Sequence, residues 1–213
     1  MINITLPDGA VKPVKSGITA AEFVTQINAR LRKEALAVKI NGVPRDLATP
    51  LQQDCSVEFL SFDSPDGAEI YRHSTSHLMA QAVQELFPGA KVAIGPAIEE
   101  GFYYDFEVEK PFTPEDLEKI EERMAELIKA DLSYIRKEVS KEKAIQDFQQ
   151  RGEKYKVEIL RDLPDGEPIT EYQQGTFVDL CRGPHLPSTG KIAAFKLLTT
   201  AGAYWRGDER NTM

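Results

Sequence analysis

Three histidines and two cysteines stand out in this 213-residue chain: His73, His77, His185, Cys55 and Cys181. His73 and His77 are four residues apart in Arg72-His73-Ser74-Thr75-Ser76-His77-Leu78, so on a helix both rings leave one face a turn apart. Cys181 and His185 are also four apart, in Asp179-Leu180-Cys181-Arg182-Gly183-Pro184-His185, where Gly183-Pro184 predicts a turn at a strand end. Every histidine and one cysteine therefore fall into two spaced pairs. Three imidazoles and a thiolate are a suitable tetrahedral zinc set. The same imidazoles suit a metal-free hydrolysis, because histidine exchanges protons near neutral pH. The zinc-peptidase pattern needs a glutamate after the first histidine, and Ser74 stands there, which argues against peptide hydrolysis.

The elements that must position these groups fall into two blocks. Residues 1–62 read as a small β-grasp, or ubiquitin-like, unit: a hairpin around Pro7-Asp8-Gly9, a helix from about Thr19 to Glu34, a strand entering the Asn41-Gly42 turn, and a closing strand at Ser56–Leu60. Asp63-Ser64-Pro65-Asp66-Gly67 is polar and turn-rich, a boundary signal. Residues 63–213 read as a larger α+β unit with an antiparallel sheet. It opens with the histidine-bearing helix, from about Ala68 to Phe87. Strands at 94–96 and 101–106 follow, then a helix capped at Thr113 and running to about Ala130, a strand at 132–139 and a helix capped at Ser140. Further strand-like runs are expected at 155–160, 175–181, 192–199 and 203–206.

Hydrophobic residues make up 41% and charged residues 28%, enough apolar content for a core. The formal net charge is −8, but 11 acids sit within residues 99–126, while residues 127–161 carry 9 basic against 6 acidic groups. A diffuse basic surface is excluded and a local phosphate-binding face is not. No apolar run of membrane-spanning length and no secretory leader is present, and two cysteines do not make a disulfide framework, so a cytoplasmic protein is expected.

Four stretches carry a specific resemblance: Arg72–Leu78, Gly101-Phe102-Tyr103-Tyr104-Asp105, Asp179–His185 and Ala201-Gly202-Ala203-Tyr204-Trp205-Arg206-Gly207-Asp208. In this order and spacing they resemble the N-terminal region of bacterial threonyl-tRNA synthetases, with residues 1–62 similar to the TGS domain and 63–213 to the editing domain. The resemblance implies that the aminoacylation core, with its zinc and ATP, and the anticodon-binding domain would follow residue 213 in a full-length, homodimeric protein. It implies hydrolysis of mischarged seryl-tRNA(Thr) to serine and tRNA(Thr), with no aminoacylation by this portion. His73, His77, Cys181 and His185 match the cleft signature, with His73 as candidate base or water-positioning group. Lys156 matches the family's site lysine. Asp179 is a candidate for the serine ammonium, and Tyr104 for the terminal adenosine. The equivalent four positions of alanyl-tRNA synthetases resemble a zinc site, whereas threonyl editing domains imply no metal and no cofactor. Two alternatives stay open: a zinc-dependent hydrolase using His73, His77, Cys181 and His185, and a non-catalytic tRNA-binding module.

Overall fold

In the computed structural model, which describes residues 1–164, 166–207 and 210, the chain begins with alternating Ile2-Asn3-Ile4-Thr5, whose isoleucines face inward. This strand, β1 (Ile2–Thr5), pairs antiparallel with β2 (Val11–Val14) and parallel with β7 (Cys55–Leu60). A short β3 (Ile18–Thr19) leads into α1 (Ala20–Thr25) and α2 (Ala29–Glu34), followed by β4 (Ala37–Ile40), β5 (Val43–Arg45) and β6 (Pro50–Leu51). The sheet order is β2-β1-β7-β4-β5, with Phe23 and Val24 of α1 buried on one face beside Ile4, Val38 and Val57, the β-grasp arrangement. The single helix expected from Thr19 to Glu34 is broken at residues 26–28. Thr25 returns its hydroxyl to the Glu22 carbonyl at 2.7 Å, and Asn28 caps a new helix by accepting from Leu31 N–H at 2.7 Å. Short polar side chains that bond the backbone locally favour a stop and a restart over a continuous helix.

Next comes α3 (Pro65–Leu86), capped by Ser64 and started by Pro65 at its first position, one turn earlier than the apolar spacing indicates. From Ser74 to Val83 every residue is buried, so this helix is surrounded on all sides rather than along one stripe. Four short strands follow: β8 (Lys91–Val92) pairs with β11 (Phe106–Glu107), and β9 (Ala97–Ile98) with β10 (Gly101–Phe102). The helix α4 (Pro114–Lys129) has a Thr113/Asp116 capping box and buries Ile120, Met124 and Leu127 in the core containing α3. Strand β12 (Ile135–Val139), helices α5 (Lys141–Gln150) and α6 (Lys154–Asp162), then β13 (Ile169–Gln174) and β14 (Phe177–Leu180) complete the second half. β13 is the middle strand of an antiparallel three-stranded sheet.

The strand expected at 155–160 is the helix α6. Tyr-Lys-Val-Glu-Ile-Leu alternates, but its apolar groups are needed in two directions: Val157 and Leu160 pack with Ala144 and Phe148 of α5, while Tyr155 and Ile159 pack with Trp205. Only helical spacing delivers both from one segment. Residues 192–199 form no ladder; their backbone is held by side chains instead, with Ala194 N–H donating to the Tyr71 hydroxyl and Leu197 N–H to Glu121. The run at 203–206 ends in a 3-10 turn, Trp205–Gly207, and Asp208 of the fourth motif lies outside the described residues. The β-grasp unit shares apolar packing with the rest of the chain: Leu36, Ala37 and Leu60 join the core built around Leu78, Val83 and Tyr104.

Candidate functional site

Burial of α3 from Ser74 onward brings Ser74 and His77 against His185, with His73 at the edge of the buried run. Cys181 directly follows β14; its N–H donates to the Thr170 carbonyl at 3.1 Å and its own carbonyl accepts the Thr170 hydroxyl. Past a cis Gly183-Pro184 bond, His185 turns back under α3. Its ring is fully buried, stacked parallel to Tyr134 at 5.0 Å and tilted against Tyr172 at 4.4 Å. Donor atoms of His73, His77, Cys181 and His185 all lie within 4.8 Å of one another, a set that can hold a metal ion.

The hydrogen bonds of this cluster have one consistent direction. A carbonyl only accepts, so His73 Nδ1–H donates to Gly95 O at 3.3 Å, and Nε2 of the neutral ring is left as acceptor. Cys181 Sγ, 3.0 Å from that Nε2, supplies its thiol proton. The sulfur in turn accepts from His185 Nε2–H at 3.3 Å and Gly183 N–H at 3.2 Å. His185 Nδ1 then accepts the Ser74 hydroxyl proton at 2.9 Å, and Ser74 Oγ accepts Leu186 N–H at 3.0 Å. The neutral forms this chain requires are those that burial favours. Burial lowers the pKa of His73, where the Gly95 carbonyl opposes it, and holds those of His77 and His185 well below the usual value. The Cys181 thiol is pushed up to about 12, first by burial and then by the charge of Asp179. Both nitrogens of His73 are thus engaged.

A second network lies beside the first. Lys156, brought inward by α6, pairs with Asp179 Oδ1 at 2.5 Å as an ion pair without directed hydrogen-bond geometry, and its ammonium donates to the Tyr104 hydroxyl at 2.9 Å. Tyr104 donates in turn to Asp179 Oδ2 at 2.5 Å. All three groups are buried, and burial together with the Asp179 charge drives the Tyr104 pKa well above its ordinary value. His77 joins the two networks: its ring centroid is 4.8 Å from that of His73, and its Nε2 is 3.5 Å from Asp179 Oδ2. His77 Nδ1 is buried without a hydrogen-bonding partner among the described residues.

All seven residues singled out in the sequence therefore converge, with different access. His73 and Cys181 are partly exposed, while His77, His185, Lys156, Asp179 and Tyr104 are buried. The Tyr104 ring stacks on Phe106 at 5.1 Å, which leaves its hydroxyl rather than its face toward the network. A cavity of about 490 Å³ opens at His73, lined also by Pro44, Glu69, Pro96, Gly183 and Pro184. Gly95 lets the Tyr104 ring pack close to the backbone that accepts from His73, since a Cβ there would lie 2.0 Å from a Tyr104 ring carbon. Ser74, Gly95, Tyr134, Tyr172 and Asp46 were not legible as site residues. Ser74 adjoins a histidine, but the other four give no local signal.

A β-grasp unit followed by a histidine-bearing α+β unit defines a class that the family matches identify. Residues 2–61 match the TGS domain, and residues 169–213 match the threonyl and alanyl tRNA synthetase second additional domain. The whole chain is 56% identical over 213 residues to a threonine–tRNA ligase of Acetivibrio thermocellus and covers 34% of it. It is 58% identical over 212 residues to that of Citrifermentans bemidjiense, covering 33%, and 54% identical over 213 residues to that of Clostridium tetani, also covering 33%. The chain is similar over its whole length to these threonine–tRNA ligases, carries matches to their TGS and second additional domains, and spans about a third of the length of these relatives. No helix among the described residues is long and apolar enough to cross a membrane.

Proposed function

We propose that this chain is an aminoacyl-tRNA ester hydrolase that removes serine from mischarged seryl-tRNA(Thr), giving serine and free tRNA(Thr). The observation that carries the reading is the meeting of two networks beside one cleft: neutral imidazoles linked to a thiol, and a buried lysine held by a carboxylate and a phenol. Water attacks the ester carbonyl and gives up a proton as its oxygen bonds to carbon. The carbon–oxygen bond to the ribose then breaks, and the ribose oxygen leaves as a hydroxyl. A neutral imidazole is a suitable acceptor, and His73 Nε2 becomes available when water replaces the Cys181 thiol as its partner. The Lys156 charge stabilises the developing oxyanion. Serine lacks one methyl of threonine, a difference worth only ~1–3 kcal/mol at a synthetic site, so a second site must reject the larger product by size.

The proposed organisation is a TGS unit at 1–62 and an editing unit at 63–213, acting with the catalytic and anticodon-binding domains of a longer, homodimeric ligase. Incubation with seryl-tRNA(Thr) and threonyl-tRNA(Thr) tests the activity: selective release of serine is expected, and tRNA binding without release would leave a non-catalytic binding module.

A second reading rests on the unpartnered His77 Nδ1 and the close donor set. Sulfur–nitrogen edges of a zinc tetrahedron are ~3.5 Å, near the observed 3.0 and 3.3 Å, so His73, His77, Cys181 and His185 fit zinc as ligands. Bound zinc would lower the pKa of a coordinated water. Four protein ligands, however, close the coordination shell, and hydrolysis then requires one to leave. Stoichiometric zinc in purified protein with chelator-sensitive hydrolysis selects this reading; zinc-free, chelator-insensitive hydrolysis selects the first.

A further inference from the structure

Asp46 belongs to the first half of the chain, in the turn after β5, yet both its carboxylate oxygens are spent on the second. Oδ1 accepts the backbone N–H of His185 at 2.9 Å, and Oδ2 accepts the Tyr172 hydroxyl at 2.7 Å. These two groups fix the His185 ring from different sides: the N–H belongs to its own backbone, and the Tyr172 ring packs against it at 4.4 Å. Gly183 completes the fit. Its φ is +68°, and a Cβ there would lie 2.0 Å from the Tyr172 oxygen, so the turn after Cys181 is moulded onto the tyrosine that Asp46 holds. Asp46 is itself anchored, because the next residue, Leu47, is buried in the first unit's core and its carbonyl accepts Ala21 N–H at 2.8 Å.

We infer that Asp46 is a positioning residue by which the TGS unit clamps the 181–186 turn and so holds His185 in place within the Ser74–His185–Cys181–His73 hydrogen-bond chain. This rests on the hydrolytic reading above for its effect on rate, but not for the clamp. Asp46 touches neither the cavity at His73 nor Lys156. It acts through His185 and Tyr172, and its loss affects turnover more than substrate binding. Charge-assisted acceptors such as this carboxylate make the stronger hydrogen bonds, and a misplacement near 1 Å at a reacting group costs up to about a hundredfold in rate.

The test uses Asp46→Ala, Asp46→Asn and Tyr172→Phe in the 213-residue chain, with two readouts. Hydrogen–deuterium exchange of the peptide spanning 181–186 should quicken in Asp46→Ala. It should return toward the parent in Asp46→Asn, whose amide oxygen still accepts the His185 N–H, and Tyr172→Phe should lie between. In seryl-tRNA(Thr) deacylation, kcat should fall about tenfold to a hundredfold in Asp46→Ala at little-changed KM, with recovery in Asp46→Asn. Unaltered exchange of 181–186 in folded Asp46→Ala overturns the clamp, and quickened exchange with unaltered kcat overturns its role in turnover. Should the parent chain itself release no serine, the hydrolytic reading falls, and exchange still decides the clamp.

Discussion

Cys181 Sγ lies 3.0 Å from His73 Nε2, and the proton between them belongs to sulfur. The His73 ring gives its own proton to the Gly95 carbonyl, and burial with the Asp179 charge pushes the thiol up to about 12. A cysteine beside three histidines is therefore a proton donor rather than a ready thiolate.

Cys181 should be chemically quiet. At pH 8 a thiol of pKa about 12 is ionised to only ~10⁻⁴, against roughly a quarter for an ordinary cysteine, so alkylation by iodoacetamide should be slower by about 10³. Mass spectrometry of the Cys181 peptide over time measures this. Alkylation at the rate of a free cysteine would show that the sulfur is a thiolate.

Removing the Lys156 charge should cost both fold and activity. The ammonium and the Asp179 carboxylate are buried together, and taking away one member leaves the other uncompensated, typically ~3–5 kcal/mol. Lys156→Met should lower stability by about that much and cut seryl-tRNA hydrolysis by roughly 10²–10³. Lys156→Met/Asp179→Asn should recover part of the stability without recovering activity. Denaturant melts and single-turnover deacylation separate the two effects, and equal stability of parent and single variant would contradict the pairing.

Stability should fall on the acid side of neutrality. Burial lowers the folded-state pKa of His73, His77 and His185 below the unfolded value of ~6.5, so the unfolded chain binds more protons in that range. This contribution is full above the unfolded pKa and is lost progressively as pH falls from it toward the lowered folded values. Thermal melts from pH 8 down to pH 5 should show Tm declining below about 6.5, and His77→Phe should flatten the decline. A Tm independent of pH across this range would mean that these rings are not buried neutral.

The acidic helix should be a bystander. Glu118 and Glu122 of α4 are exposed, opposite the face that carries Ile120, Met124 and Leu127 into the core. Phosphate would be repelled from such a surface. Glu118→Lys/Glu122→Lys should leave deacylation within about twofold. A large change in KM for the tRNA would place α4 on the RNA path.

The four-residue spacing of His73–His77 was legible because helix geometry alone turns it into a shared face, and the capping signals at Thr113 and Ser140 are equally local, whereas Cys181 and His185 meet only through the turn between them. The β-grasp order followed from alternation and turns for the same reason. Residues 155–160 show the limit: their alternation satisfies a strand, and only packing in two directions, against α5 and against Trp205, selects the helix that brings Lys156 inward. Asp46 shows it more sharply. A carboxylate in a turn looks solvated, and nothing near it in the chain indicates an acceptor for groups 126 and 139 residues away. Residue type and local spacing determined which side chains were able to do chemistry. The direction of the proton chain, the neutrality of its imidazoles and the unit that steadies it were decided by burial and long-range hydrogen bonds, which exist only once the chain has folded.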